Sequence, residues 1–150
     1  MTSLAFTVIG VAQPAGSKRG FTNPKTGRVI ITDANAKSRP WKALVTDAAL
    51  EVGATMLDGP LLLELTFWMP RPKSHFGRKG LMPRSPRFPT VKPDLLKLAR
   101  AVEDALSGVA YRDDSQIVSE ILQKSYGEPA RVEVRVVQIE RVTVGEEVAA

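Results

Sequence analysis

The chain has no cysteine. That excludes a disulfide framework, a thiol nucleophile and a thiolate-held zinc. It has one histidine, His75, so no cluster of imidazoles can gather a transition metal. Any metal partner must be a hard ion with oxygen ligands. No apolar run is long enough to cross a bilayer and the N-terminus shows no signal-peptide pattern, so a cytoplasmic protein without a membrane partner is expected. One stretch lacks acid altogether: from Pro70 to Pro93 there are six prolines and seven Lys or Arg residues, but no Asp or Glu.

What is present describes a globular chain. At 150 residues and 43% hydrophobic content, one domain with a real core is expected over residues 1–144, followed by a frayed tail at 145–150. The formal net charge of +5 favours a polyanionic partner without demanding one.

Leu4 to Ile9 reads as a short strand. Gly10 to Gly20 is a loop of glycine and small residues; its N–H groups, with Lys18 and Arg19, suit a phosphate, and an ordinary basic turn fits equally well. Phe21-Thr22 and Arg28 to Thr32 flank Asn23-Pro24-Lys25-Thr26-Gly27, a hairpin pattern. Ser38 to Thr55 has helical spacing, with Ser38 as cap and Trp41, Leu44, Val45, Ala48, Ala49 and Val52 as buried stripe. Leu61 to Met69 is a strand too apolar for an exposed edge, with Leu63, Leu65 and Phe67 facing one way and Glu64, Thr66 and Trp68 the other.

The acid-free stretch cannot join a sheet or a helix interior, because proline lacks the N–H both need. It reads as a mobile basic loop whose Arg71, Lys73, Arg78, Lys79, Arg84, Arg87 and Lys92 meet nucleic acid, since a solvated linker usually mixes both signs. Phe76 and Phe88 suit stacking on bases, wedging a junction open, or pinning the loop to the core.

The loop runs into the unit that organises the chain. Pro93-Asp94 precedes a helix ending at Gly108, with Asp94 as cap and Leu95, Leu98, Ala99, Val102, Ala105 and Leu106 as apolar stripe. Lys97, Arg100, Glu103 and Asp104 occupy the other face, and Leu96 interrupts it between Arg100 and Glu103. The next strand, Ser115 to Tyr126, follows Asp113-Asp114 directly. A helix–turn–strand reversal brings these carboxylates towards Asp94, and close carboxylates repel unless a cation sits between them. The plainer reading is a cap and a polar turn. Arg131 to Arg141 is a last alternating strand, with Val132, Val134 and Val136 inward. The fold class expected is α+β, a mixed sheet with two helices packed on it and a long basic Pro-rich loop.

These motifs together resemble the RusA family of Holliday junction resolvases, in the form carried by bacteriophages and prophages. The resemblance rests on Gln13-Pro14…Gly16-Ser17-Lys18-Arg19, Lys92-Pro93-Asp94, Asp104-Ala105-Leu106-Ser107-Gly108, Tyr111-Arg112-Asp113-Asp114-Ser115-Gln116-Ile117-Val118 and Lys124. It implies a homodimeric, Mg²⁺-dependent endonuclease (Mn²⁺ serving as well) that nicks four-way DNA junctions in recombination and repair, in a bacterial or phage-infected cell. Matched to the family pattern, Asp94 and Asp114 take metal-ligand positions with Asp113 beside them. Arg100 takes a basic position at the scissile phosphate, and Lys97 stands where many members carry Asn. Leu96 departs from the pattern, because the family's second aspartate belongs there. A leucine neither binds Mg²⁺ nor accepts a proton, so the resemblance implies junction binding with impaired cleavage, or compensation by Asp104 or Glu103.

Two other readings compete. One is a catalytically inactive junction- or DNA-binding protein of the same fold. The other is a small α+β RNA-binding protein, against which no strand shows the paired exposed aromatics of an RNA-reading sheet.

Overall fold

Alternation along Leu61–Met69 sets the centre of the fold. Leu61, Leu63, Leu65 and Phe67 are fully buried on one face, while Glu64, Thr66 and Trp68 are half-buried on the other, because successive strand residues point to opposite faces. The computed structural model of the protein describes residues 2–16, 18–33 and 35–146, without the side chains of residues 18, 19, 32 and 33. The elements are β1 (Ser3–Ile9), β2 (Lys18–Thr22), β3 (Val29–Asp33), α1 (Ser38–Glu51), β4 (Leu61–Met69), β5 (Phe76–Gly77), β6 (Gly80–Leu81), α2 (Leu95–Leu106), β7 (Ile117–Tyr126) and β8 (Arg131–Gln138).

The main sheet has the order β1-β8-β4-β7. β8 pairs antiparallel with both β1 and β4, whereas β4 and β7 are parallel. Parallel neighbours need a crossover, and the segment from residue 70 through α2 supplies it. The sheet is therefore mixed and the class α+β, as the periodicities predict. α1 packs on α2 and β1, and α2 packs on β7. The core joins Trp41, Val45 and Ala49 of α1 and Leu98, Ala99, Val102 and Leu106 of α2 to the inward residues of the sheet, including Val132, Val134 and Val136. No helix among the described residues is long and apolar enough to cross a membrane.

Several expectations shift. β2 and β3 form the hairpin, but β2 begins at Lys18, so the basic end of the early loop is strand. α1 stops at Glu51 rather than Thr55, and Leu44 and Val52 of its apolar stripe stay exposed. Ser38 does not cap it: Lys37 holds the cap position and Ser38 is fully buried inside the first turn. The last strand ends at Gln138, and Val144–Glu146 form a short 3-10 turn where a tail is expected. Residues 147–150 of that tail lie outside the described residues.

The basic segment carries structure of its own. A 3-10 turn at Lys73–His75 leads into the β5–β6 pair. The Met82 N–H donates to the His75 carbonyl and the Tyr126 N–H to the Arg87 carbonyl, at 2.9 and 3.0 Å. The Arg71 guanidinium donates to the Pro86 carbonyl at 2.7 Å and lies 4.9 Å from the centre of the Tyr126 ring.

Candidate active site

α2 is the axis of the site. Its apolar stripe buries Leu98, Ala99, Val102, Ala105 and Leu106 as expected from the spacing. The polar side of the helix carries Leu96, Arg100 and Glu103 at intervals of four and three residues, which line up along a helix. Leu96 is 73% exposed there. An exposed isobutyl group has no packing reason to occupy this place.

The helix ends where Gly108 takes φ +83°, a conformation that favours glycine. The turn is then locked by Tyr111. Its buried ring lets the hydroxyl donate to the Glu103 carbonyl at 2.8 Å, and the Gly108 N–H donates to the Tyr111 carbonyl at 2.8 Å. Burial, with the Glu103 charge next, pushes the Tyr111 phenol up, so it stays a protonated donor. The strand-side residues of the site are thus fixed to the last turn of α2.

Gln116 organises the next step. Its side-chain oxygen accepts from the N–H groups of Arg112 and Asp113 at 2.9 and 3.2 Å, and its amide donates to the carbonyls of Leu57 and Gly59 at 3.0 and 3.1 Å. Asp113 completes a capping box by accepting from the Ser115 N–H at 2.9 Å. That bond, followed by one from Asp114, holds the Asp113 carboxyl below its usual range. Asp114 is pushed the other way, first by the hydrogen bond it shares with Asp113, then by partial burial and by the charges of Asp113 and Asp104; Arg100 opposes the rise. Of the pair, Asp113 serves the turn and Asp114 faces the α2 charges.

Two further carboxylates join Asp114. Glu103 and Glu120, with Asp114, line a cavity of about 410 Å³. Burial first, then Glu120, Asp114 and Asp104, push the Glu103 carboxyl up to about 8. Glu103 reads from the sequence as one member of a charged face, and Glu120 carries no signal at all. Only the packing of α2 on β7 brings them together. Asp104 is held by Lys42, whose Nζ donates to Oδ2 at 3.4 Å.

Asp94 is at the far end of α2. It holds the cap position, yet its side chain makes no capping bond, and its nearest cation is Lys97 at 4.0 Å. Nine residues separate it from Glu103, about 13 Å at ~1.5 Å rise per residue. The structure records no interaction between Asp94 and the 113–114 pair. Among the described residues no three Asp, Glu or His side chains stand together in a way that could hold a metal ion. Lys124 secures the approach to Asp94: its Nζ donates to the carbonyls of Val91 and Pro93, both at 2.9 Å.

The basic residues divide by environment. Lys73, Arg78, Lys79, Arg84, Arg87, Lys92, Lys97 and Arg100 are exposed. Arg71 is half-buried and engaged within its own segment. Phe76 and Phe88 are exposed by 41% and 49%, so neither is pinned into the core. Lys18 and Arg19 lie in β2, with side chains outside the described residues.

A family model described as "Endodeoxyribonuclease RusA" matches residues 12–137. The chain is also similar to the "Uncharacterized protein YqaN" of Bacillus subtilis (strain 168), 33% identical over 143 residues that cover 93% of this chain and 99% of that protein.

Proposed function

The chain belongs to the RusA endodeoxyribonuclease family, and from that premise we propose a crossover-junction endodeoxyribonuclease whose strand cleavage is impaired by Leu96. The site of action is a four-way DNA junction, engaged by a single domain over residues 1–144 in the cytoplasm of the cell that holds the DNA. A two-fold homodimer suits a junction's own two-fold symmetry. Phosphates are held by Lys73, Arg78, Lys79, Arg84, Arg87 and Lys92 of the acid-free segment and by Lys97, with Lys18 and Arg19 as further candidates from the sequence.

Family nucleases of this kind generally depend on a divalent metal, Mg²⁺ or Mn²⁺. The residues of this chain do not fit a preformed centre for one. Among the described residues no three carboxylates are placed to hold an ion, Asp113 is committed to its capping box, and an apolar side chain projects from the α2 face that carries Arg100. The observation that carries the proposal is the exposure of Leu96 at 73% on that face. Asp94, Asp114 and Arg100 remain, so binding and phosphate positioning outlast the loss of cleavage.

The binding half is tested by competition. A labelled four-way junction is bound to the protein and challenged with linear duplex DNA and duplex RNA of equal nucleotide content. The junction should outcompete both by about tenfold or more, within the usual range of specific over non-specific binding. Equal competition by duplex RNA would favour the RNA-binding reading instead.

A further inference from the structure

We propose that a second cavity, beneath the basic segment, takes an unpaired nucleobase of the bound DNA; this rests on the reading above that the ligand is branched DNA. The cavity measures about 410 Å³, within the ~300–1,000 Å³ range of small-molecule sites. It lies where the end of β4, the basic segment and the end of β7 meet, at the Asp94 end of α2.

Its chemistry has two parts. The walls are flat and apolar: the rings of Pro72, Pro89, Pro93 and Tyr126, with Met69 and Val91. Such faces receive the π-surface of any base. The charged groups are all positive, being Arg71, Lys92 and Lys124, and no carboxylate lines the cavity. An apolar slot with cations alone at its edges suits a group that is apolar on its faces and anionic at its attachment, which describes a nucleotide. Lys124 supplies a specific contact. An ammonium has three N–H donors, and two are given to the Val91 and Pro93 carbonyls. The third is left for a ring nitrogen or carbonyl acceptor on the base edge.

The cavity is also held in shape before any ligand arrives. The Tyr126-to-Arg87 hydrogen bond ties the segment to β7 and the Arg71-to-Pro86 bond braces it internally, so little ordering is required on binding. A base inside a duplex cannot enter without leaving its stack, whereas an unpaired nucleotide at a branch point is free to do so. The cavity therefore favours branch points with a loose base, and it anchors that strand at the Asp94 end of the α2 face.

The test compares two four-way junctions that differ in one atom group. One carries a single unpaired thymidine at the branch, the other an abasic nucleotide at the same place, so the phosphates are identical. The protein should bind the thymidine form about tenfold tighter, within what stacking of one base supplies. Val91→Trp, which fills the cavity from an exposed position, should bring the ratio close to one while circular dichroism reports an unchanged fold. In the unaltered protein, photocrosslinking from 5-iodouracil at the unpaired position should map to the cavity wall around Pro72, Pro89 or Tyr126. Equal affinity for the two junctions, an unchanged ratio in a folded V91W, or a crosslink elsewhere on the chain overturns the inference and leaves the junction reading standing. A protein that binds neither junction better than linear duplex overturns the junction reading itself.

Discussion

Glu103 of α2 and Glu120 of β7 face each other across a cavity that Asp114 also lines. Burial first, then the Glu120 carboxyl beside it, push the Glu103 carboxyl up to about 8. The folded chain then binds a proton that the unfolded chain, with the ordinary value of 4.5, has released.

The sign of the pH dependence follows. A carboxyl raised on folding contributes its stability at low pH and loses it as pH climbs from about 4.5 to about 8. Glu103→Gln keeps a hydrogen-bonding amide and removes the titration. Between pH 5 and pH 8.5 the unaltered protein should lose about 1–2 kcal/mol relative to E103Q, a figure already reduced for the solvent reaching this half-buried group. Urea melts of both proteins at the two pH values check it; parallel curves contradict it.

Gln116 is the principal tie at the start of β7. Gln116→Ala removes four hydrogen bonds at once, two of them to the carbonyls of Leu57 and Gly59. A loss of about 2 kcal/mol is expected by the usual worth of such bonds, since water can replace some of them. Ser115→Ala, at the exposed neighbouring position, should be close to neutral. Thermal melting of both variants is the measurement.

Lys124 holds the chain that enters α2. Lys124→Met keeps the stem but abandons the carbonyls of Val91 and Pro93, at about 1.5–3 kcal/mol for bonds from a charged donor. The segment should loosen locally before the core does. Limited trypsin digestion should cut after Arg87 several-fold faster in K124M, with the core strands still protected.

Asp113 and Asp114 are neighbours with different duties. In a Leu96→Asp background, Asp114→Asn should lower junction nicking by about 10²-fold or more, in line with the loss of a group at the reacting phosphate. Asp113→Asn should cost less than about tenfold, because an amide oxygen can still accept from the Ser115 N–H. Similar losses in both would mean that the capping box does not separate the two roles. Nicking rates at saturating protein decide between these outcomes.

Sequence periodicity carried much of this fold. β4 has the expected bounds, the α2 stripe is buried, and Val132, Val134 and Val136 face the core. Each of these elements buries one whole face, so the hydrophobic pattern is strong. Helix ends are weaker signals: Ser38 and Asp94 both look like caps, yet one is buried within the helix and the other makes no capping bond. The proline content of the basic segment points to mobility, but its contacts with Tyr126 come from a strand more than thirty residues on and leave no local trace. The site divides in the same way. Leu96 stands out on a helical wheel because one helix contains all the information. Glu120 does not, because its partner Glu103 is reached only through the packing of α2 on β7.

The central claim concerns position 96. Supercoiled or synthetic four-way junctions incubated with Mg²⁺, and separately with Mn²⁺, should be bound by the unaltered protein and by Leu96→Asp with comparable affinity, while L96D nicks them about 10²-fold faster or more. Equal nicking rates in the two proteins would contradict the account.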